Sequence, residues 1–130
     1  MNAPRAIFTG LSLLFQPLYA LMLMMYVDQL TREMNPLAQA LDVGILIFGV
    51  VFMSMQLRML WLLHRAADPQ PLRRLFYIGL VIWFLLEVVL SYWWCFVTGA
   101  DPLTEHTPFV VLFLGFNAGQ YWALRRLNVL

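Results

Sequence analysis

Lysine is absent from this 130-residue chain, and charged residues of both signs make up only 12% of it. The basic residues are eight arginines, which leave a formal net charge of only +1. A nucleic-acid-binding protein needs an extended basic surface, so this charge argues against nucleic acid as a partner. Cysteine is nearly absent as well. The single thiol, Cys95, excludes an intrachain disulfide and the paired-thiol chemistry of membrane disulfide oxidases.

The sequence also lacks the motifs of common enzymes. It contains no Ser-His-Asp set, no phosphate-binding glycine loop and no HExxH motif. We therefore expect no enzymatic centre and no cofactor. Methionines crowd the first half of the chain without a thiolate or imidazole beside them. We interpret them as core-filling residues rather than ligands of a soft metal, and no metal site is predicted.

Apolar residues dominate the chain instead. Hydrophobic residues make up 62% of it and the mean hydropathy is +0.76, too high for an ordinary soluble domain. A membrane-spanning helix needs about 20 mostly apolar residues, and four stretches of about this length occur. The first is too long in its apolar core for a secretory signal. We predict an all-α fold with one membrane domain, residues 1–130, built as a four-transmembrane-helix bundle. The predicted spans are residues 6–27, 43–63, 75–97 and 107–124.

Arginine is distributed unevenly between the two ends of this predicted bundle. Six arginines fall at the end that carries both termini: Arg5, Arg65, Arg73, Arg74, Arg125 and Arg126. The other end has only Arg32, among several acidic residues. An excess of arginine in short loops marks the cytoplasmic side of a membrane. The sequence therefore predicts a multi-pass protein of the bacterial inner membrane with both the N and the C terminus in the cytoplasm.

The connectors between the predicted spans are short, so neighbouring helices should run antiparallel. Asn35-Pro36 and Thr107-Pro108 each place a capping side chain before a proline that suits the first turn of a helix. These two pairs predict where the second and fourth helices begin.

A polar side chain lies near the centre of each predicted span. These side chains are Gln16, Ser54, Glu87 and Asn117. Lipid offers no hydrogen bonds, so we expect the four groups to turn inward at one depth and to form a midplane polar cluster. Such a cluster either sets the packing of the helices or forms a site in which Glu87 exchanges a proton or binds a cation.

Arg58 lies about 7.5 Å from the centre of the second span, on the cytoplasmic side, if the helix rises 1.5 Å per residue. It either extends to the membrane surface or turns inward to form an ion pair with Glu87. A paired Glu87 would stay ionised, whereas an unpaired one would be neutral for much of the time.

Spacing along the helices adds three further predictions. Gly79, Trp83, Glu87 and Ser91 recur every four residues, which predicts one inward face on the third span. Pro17 cannot donate a backbone hydrogen bond and predicts a kink in the first span. In the fourth span a GxxxG pattern, formed by Gly115 and Gly119, allows close helix packing within the bundle or between copies.

Gly10-Leu11 and Pro17 lie in the first predicted span, and Tyr121 is followed by Arg125 and Arg126 at the end of the fourth. With the four-span layout, these residues resemble the opening and the close of a family of uncharacterised bacterial inner-membrane proteins that carry a domain of unknown function. The resemblance implies topology and location but no activity.

The sequence favours a non-enzymatic membrane subunit or scaffold that packs in the lipid bilayer with itself or with a larger complex. The alternative is a small-solute or proton-coupled carrier that uses Glu87, with Gln16, Ser54 and Asn117 lining the site.

Overall fold

The computed structural model of the protein describes residues 2–65 and 68–130. Within these ranges the chain is helical and contains no strand, which confirms the predicted all-α class. The first two helices are α1, Ala3–Arg32, and α2, Pro36–Arg65. A third long helix, Gln70–Thr98, consists of α3 (Gln70–Phe84), a π-helical segment (Leu85–Leu90) and α4 (Ser91–Thr98). The short α5, Pro102–Glu105, leads into α6, Thr107–Arg126.

Three of these helices are long and apolar enough to cross a membrane: α1, α2 and the third long helix. The predicted spans 6–27, 43–63 and 75–97 each lie inside one of them, and residues 107–124 lie inside α6. The helices extend beyond the predicted spans because their polar ends continue the backbone hydrogen bonding past the apolar stretch.

Side-chain caps define several helix ends. The Asn35 side chain accepts a hydrogen bond from the Leu37 N–H at 3.0 Å, so the predicted start of α2 is confirmed. The predicted cap of α6 is wrong, because Thr107 is the first helical residue. Its hydroxyl instead donates to the Pro102 carbonyl at 2.8 Å, which ties the start of α6 to α5.

Both termini lie at the same end of the bundle, which we call the terminal end. Arg5, near the start of α1, donates from Nη1 to the Leu63 carbonyl near the end of α2 at 2.7 Å. Arg73, near the start of α3, donates from Nε to the Val129 carbonyl at 2.8 Å. Neighbouring helices are therefore antiparallel, as predicted. We call the opposite end, which carries α5, the loop end.

The interior is arranged in three layers along the bundle. A largely aromatic cluster fills the half toward the loop end and includes Phe15, Tyr19, Phe52, Trp83 and Phe113. A second apolar cluster fills the terminal end and includes Phe8, Met59, Leu72, Phe76 and Leu124. Ser12, Gln56 and Gln120 lie between these clusters on their helices and are joined by hydrogen bonds. The bundle thus has a polar layer between two apolar ones.

Glycine permits close helix packing at two points. A Cβ atom at Gly49 would collide with the Leu23 side chain of α1, and one at Gly119 would meet a Leu11 methyl carbon at 2.6 Å. The first glycine of the predicted GxxxG pattern differs, because Gly115 has open space above it. Within the bundle only Gly119 of this pair serves close packing.

The fourth long helix is shorter than the others. α6 has 20 residues, whereas α1 and α2 have 30 each and the third long helix has 29. A deficit of ten residues corresponds to about 15 Å at the helical rise. The helices are aligned at the terminal end, so the deficit falls at the loop end. There α5 and His106 occupy only part of the space that a longer helix would fill.

Candidate functional site

Glu87 is fully buried in the π-helical segment of the third long helix. In this segment the Ser91 N–H bonds to the carbonyl five residues earlier, that of Leu86, and the Ser91 hydroxyl donates to the same carbonyl at 2.7 Å. A π segment of this kind is rare and is frequently found at functional sites.

The π-helical segment keeps one face of the third long helix pointed inward. Gly79, Trp83, Glu87 and Ser91 are all buried, as their spacing predicted, and Cys95 continues the row. In a regular α-helix four residues turn through about 400°, so such a row would drift by about 40° at every step. The wider π turn rotates less per residue and reduces this drift. The insertion thus keeps Glu87 in line with Trp83.

The Glu87 carboxyl faces groups that do not complete its hydrogen bonding. The Tyr19 hydroxyl of α1 lies beside this carboxyl and beside the Trp83 indole. Both Glu87 carboxyl oxygens, the Tyr19 hydroxyl and the Trp83 Nε1 lack a hydrogen-bond partner among the described residues. An ionised carboxylate without a partner costs several kcal/mol in such surroundings, so burial favours the protonated acid.

His106 is a second titratable residue, besides Tyr19, that contacts Glu87. The residue is only 4% exposed, and its Nε2 lies 2.6 Å from the Glu87 backbone carbonyl and 3.6 Å from Oε2 of Glu87. A carbonyl oxygen only accepts hydrogen bonds, so Nε2 carries a hydrogen and donates it. In the neutral ring this leaves Nδ1 as the acceptor. One imidazole therefore has its N–H directed at the Glu87 residue.

Burial lowers the pKa of His106 below its ordinary value of 6.5, and the hydrogen bond to the Glu87 carbonyl acts in the opposite direction. The neutral imidazole is accordingly the resting form at neutral pH. A neutral histidine beside a protonated acid can pass a proton without leaving an isolated charge in the interior.

The short α5 positions His106. Asp101 caps α5 by accepting from the Leu103 N–H at 3.1 Å and from the Thr104 hydroxyl at 3.0 Å. His106 then interrupts the helix, and its side chain turns into the bundle. The Tyr92 ring packs edge-on against the His106 ring at 4.8 Å. These contacts hold the imidazole against Glu87.

A cavity of about 400 Å³ opens at the loop end beside His106. It lies between α1, α4 and the junction of α5 with α6, where the short α6 leaves space. The lining residues from α1 include Met22 and Tyr26, and α4 contributes Trp94 and Cys95. His106 lines this cavity and also contacts Glu87. The imidazole therefore separates the buried acid from the open space.

A second buried acid lies near the same cavity. Asp42 of α2 is fully buried, and neither of its carboxylate oxygens has a hydrogen-bond partner among the described residues. Its carboxylate lies beside the Trp94 indole, whose Nε1 is also without a partner. A buried acid thus lies behind each of two residues that line the cavity: Asp42 behind Trp94, and Glu87 behind His106.

The structure does not bring the four predicted midplane residues together. Ser54 is exposed and its hydroxyl bonds to the Val50 carbonyl of its own helix at 2.9 Å. Gln16 is half-buried and donates to the Met53 carbonyl at 3.2 Å. Asn117 is buried, but its Nδ2 has no partner in the described part of the chain. Glu87 meets Tyr19 and His106 instead, so the predicted cluster does not form around it.

Arg58 does not pair with Glu87. Its guanidinium lies 4.5 Å from the centre of the Trp61 ring on the same helix, and its side chain is exposed. A cation held over an indole face is stabilised without an ion pair. Pro17 lies within a continuous α1 and is exposed, so its ring faces away from the site.

A polar network that the sequence analysis did not predict occupies the layer toward the terminal end. Gln120 of α6 donates from Nε2 to the Gln56 side-chain carbonyl at 2.6 Å and to the Ser12 hydroxyl at 3.2 Å. All three residues are buried. Their amides and hydroxyl were visible in the sequence a few positions from Ser54 and Asn117.

His106 and Asp42 were also missed, because both lie outside the predicted spans, immediately before residues 107–124 and 43–63. The available signal for His106 was its place immediately before a helix that is too short to match its neighbours. No protein-family model, curated protein or solved structure shows significant similarity to this chain. The resemblance to the four-span family stays a prediction, and the function has to be argued from the site.

Proposed function

We propose that the protein is a small proton-coupled carrier of the bacterial inner membrane in which Glu87 binds the proton and His106 connects it to the loop-end cavity. The observation that carries this proposal is the placement of one imidazole between a fully buried, unpartnered carboxyl and an open cavity. Ionisable residues at membrane depth commonly serve proton or ion pathways.

In the proposed arrangement α6 is a fourth span. Its 20 residues rise about 30 Å, which equals the thickness of a hydrocarbon core. It is less apolar than the other long helices because Asn117 and Gln120 are polar, and both are buried in the interior. Its outward residues include Val111, Leu112 and Leu114, which suit contact with lipid. The arginine-rich terminal end would face the cytoplasm.

Proton transfer would use the two nitrogens of His106 in turn. A proton taken up at Nδ1 produces an imidazolium whose Nε2–H then passes to an ionised Glu87 carboxylate. The ring returns to the neutral state with hydrogen on Nδ1 and has to exchange it before the next cycle. The 3.6 Å separation of Nε2 from Oε2 needs only a small side-chain movement.

Infrared spectroscopy of the protein in lipid nanodiscs tests the proposal. We expect a carboxylic-acid C=O band at neutral pH whose Glu87 component disappears in Glu87→Gln, a substitution that keeps volume and removes ionisation. Glu33→Gln, in the connector between α1 and α2, is the matched control and should retain the band. Absence of a Glu87 band at neutral pH would overturn the proton-binding role.

The connection through His106 is tested in the same samples. Transfer to D₂O shifts the Glu87 band as its proton exchanges. We expect His106→Phe to slow this exchange by about 10²-fold, the scale of a positioned proton-transfer group. Unchanged exchange in His106→Phe would show that the proton reaches Glu87 by another route.

A second candidate function is a subunit or scaffold that assembles with its own copies or with a larger complex. Gly115 favours it, because this outward glycine has open space above it in which a helix of another chain can pack. Gly115→Ile should then dissociate the assembly and leave the Glu87 band unchanged. A carrier acting alone should keep its particle mass.

A further inference from the structure

The loop-end cavity has walls that are mainly aromatic and thioether. Tyr26 and Trp94 form a corner, with ring centres 5.6 Å apart and ring planes at 77°. Met22, Met25 and Phe109 extend these walls. A volume of about 400 Å³ falls within the range of small-molecule sites, about 300–1,000 Å³. Two perpendicular ring faces around one space resemble part of the aromatic cages that bind ammonium groups.

The charged groups near this cavity are mainly acidic. Among the described lining residues, Glu105 is the one that carries a formal charge at neutral pH. Arg32 lines the adjoining pocket together with Asp28 and Glu33, and it is paired with Asp28 at 3.4 Å. Behind the lining lie the buried acids Asp42, beside the Trp94 indole, and Glu87, beside His106. A carboxylate near the indole N–H makes the ring face more negative. The cavity therefore favours a positive guest over an anion.

We propose that this cavity binds a monovalent organic cation, an ammonium group with apolar substituents, against the faces of Tyr26 and Trp94 and near Glu105. The described residues contain no group of three His, Cys, Asp or Glu side chains that could hold a metal ion. Hard inorganic cations need a shell of oxygen ligands, whereas these walls offer rings and thioethers. This organic cation would be the substrate of the proposed carrier, and its coupling to Glu87 rests on that proposed function.

Calorimetry on the full chain in nanodiscs tests this inference with matched probes. Choline and its uncharged carbon isostere, in which carbon replaces the ammonium nitrogen, have nearly the same shape. Tetraethylammonium provides a larger cation. We expect at least one cation to bind about tenfold more tightly than the isostere, the scale of a desolvated cation–π contact. If neither cation binds more tightly than the isostere, the proposal is wrong.

Adjacent tryptophans supply a matched pair of variants. Trp94→Leu removes a cavity wall and should weaken cation binding about tenfold. Trp93→Leu changes the neighbouring residue, which is 48% exposed and outside the cavity lining, and should leave binding within about twofold. Glu105→Gln is an exposed, isosteric change that keeps the test usable if Trp94→Leu fails to fold. Glu105→Gln should weaken the binding of the cations several-fold and leave the binding of the isostere unchanged. Equal effects on both would contradict the proposal.

Proton release separates this inference from the proposed function. In weakly buffered solution, cation binding should release protons from the parent protein and not from Glu87→Gln. Cation binding without any release would support the cavity and contradict proton coupling. A protonated Glu87 in the infrared spectrum without cation binding would support the proton site and refute the cation site.

Discussion

Replacing Gln120 by leucine should destabilise the bundle, because this residue joins three helices. Its Nε2 donates to Gln56 of α2 and to Ser12 of α1. Leucine has a similar volume but no donor, so the substitution removes both hydrogen bonds and leaves two buried acceptors without this partner. The Gln120 Oε1 has no partner among the described residues, so its removal carries no such loss.

The expected loss follows from these two bonds. Hydrogen bonds between membrane helices contribute on average about 0.6 kcal/mol each, and up to about 1.7 kcal/mol. Two such bonds give about 1.2 kcal/mol, and the unpaired acceptors raise the expected range to about 1–3 kcal/mol. Combining Gln120→Leu with Gln56→Leu should cost less than the sum of the single changes, because the Gln56 acceptor is removed together with its donor and only Ser12 loses a partner.

Unfolding in mixed micelles of a mild detergent with increasing dodecyl sulfate measures these differences. Asn117→Leu is the matched control, since this buried amide lies on the same helix and its Nδ2 has no partner among the described residues. It should be neutral or stabilising. If Gln120→Leu were as stable as the parent while Asn117→Leu were destabilised, the assignment of the polar layer would be refuted.

Three further predictions concern packing, pH and the loop end. Gly49→Ala should destabilise α1–α2 packing by about 1–3 kcal/mol because three atoms of Leu23 surround the added methyl. Gly44→Ala, on the same helix with only one ordinary contact, should be neutral or gain up to about 1 kcal/mol of helix propensity in the same unfolding assay. Because the pKa of His106 is lowered in the folded state, the contribution of His106 to the free energy of unfolding should be full above pH 6.5 and fall as the pH drops below it. The slope is at most about 1.4 kcal/mol per pH unit, and His106→Gln should flatten it in unfolding measured across pH. Asp101→Ala removes the cap of α5 and should speed amide exchange of residues 103–106 by about fivefold, as expected for a loss of about 1 kcal/mol, while exchange in α2 stays unchanged.

Hydropathy predicted the helical segments because long apolar stretches leave few alternatives to a helix. The four-residue spacing of Trp83, Glu87 and Ser91 correctly placed Glu87 on the inward face of the third long helix. The predicted polar cluster did not form because position within a span gives depth and not direction. Ser54 and Gln56 are two residues apart, about 200° around the helix, so only Gln56 faces the interior.

The contact between Glu87 and His106 was beyond sequence reasoning for a geometric reason. It depends on where α6 begins relative to the end of α4, and on a four-residue helix, Pro102–Glu105, that turns the chain inward. Neither feature has a periodic signature. The arginine pattern likewise predicted that both termini lie at one end of the bundle. It carried no information on the burial of Asp42 near the other end.

The short α6 also makes the outline of the bundle uneven toward the surrounding bilayer. In the proposed orientation α6 just matches a hydrocarbon core of about 30 Å, whereas the other three long helices extend beyond it at the loop end. A thicker bilayer would exceed the length of α6 before that of the other long helices, and lipids beside α6 would then tilt or thin at a cost of fractions of a kcal/mol per ångström of mismatch. In the proposed carrier, a change in bilayer thickness would therefore be felt first beside α6.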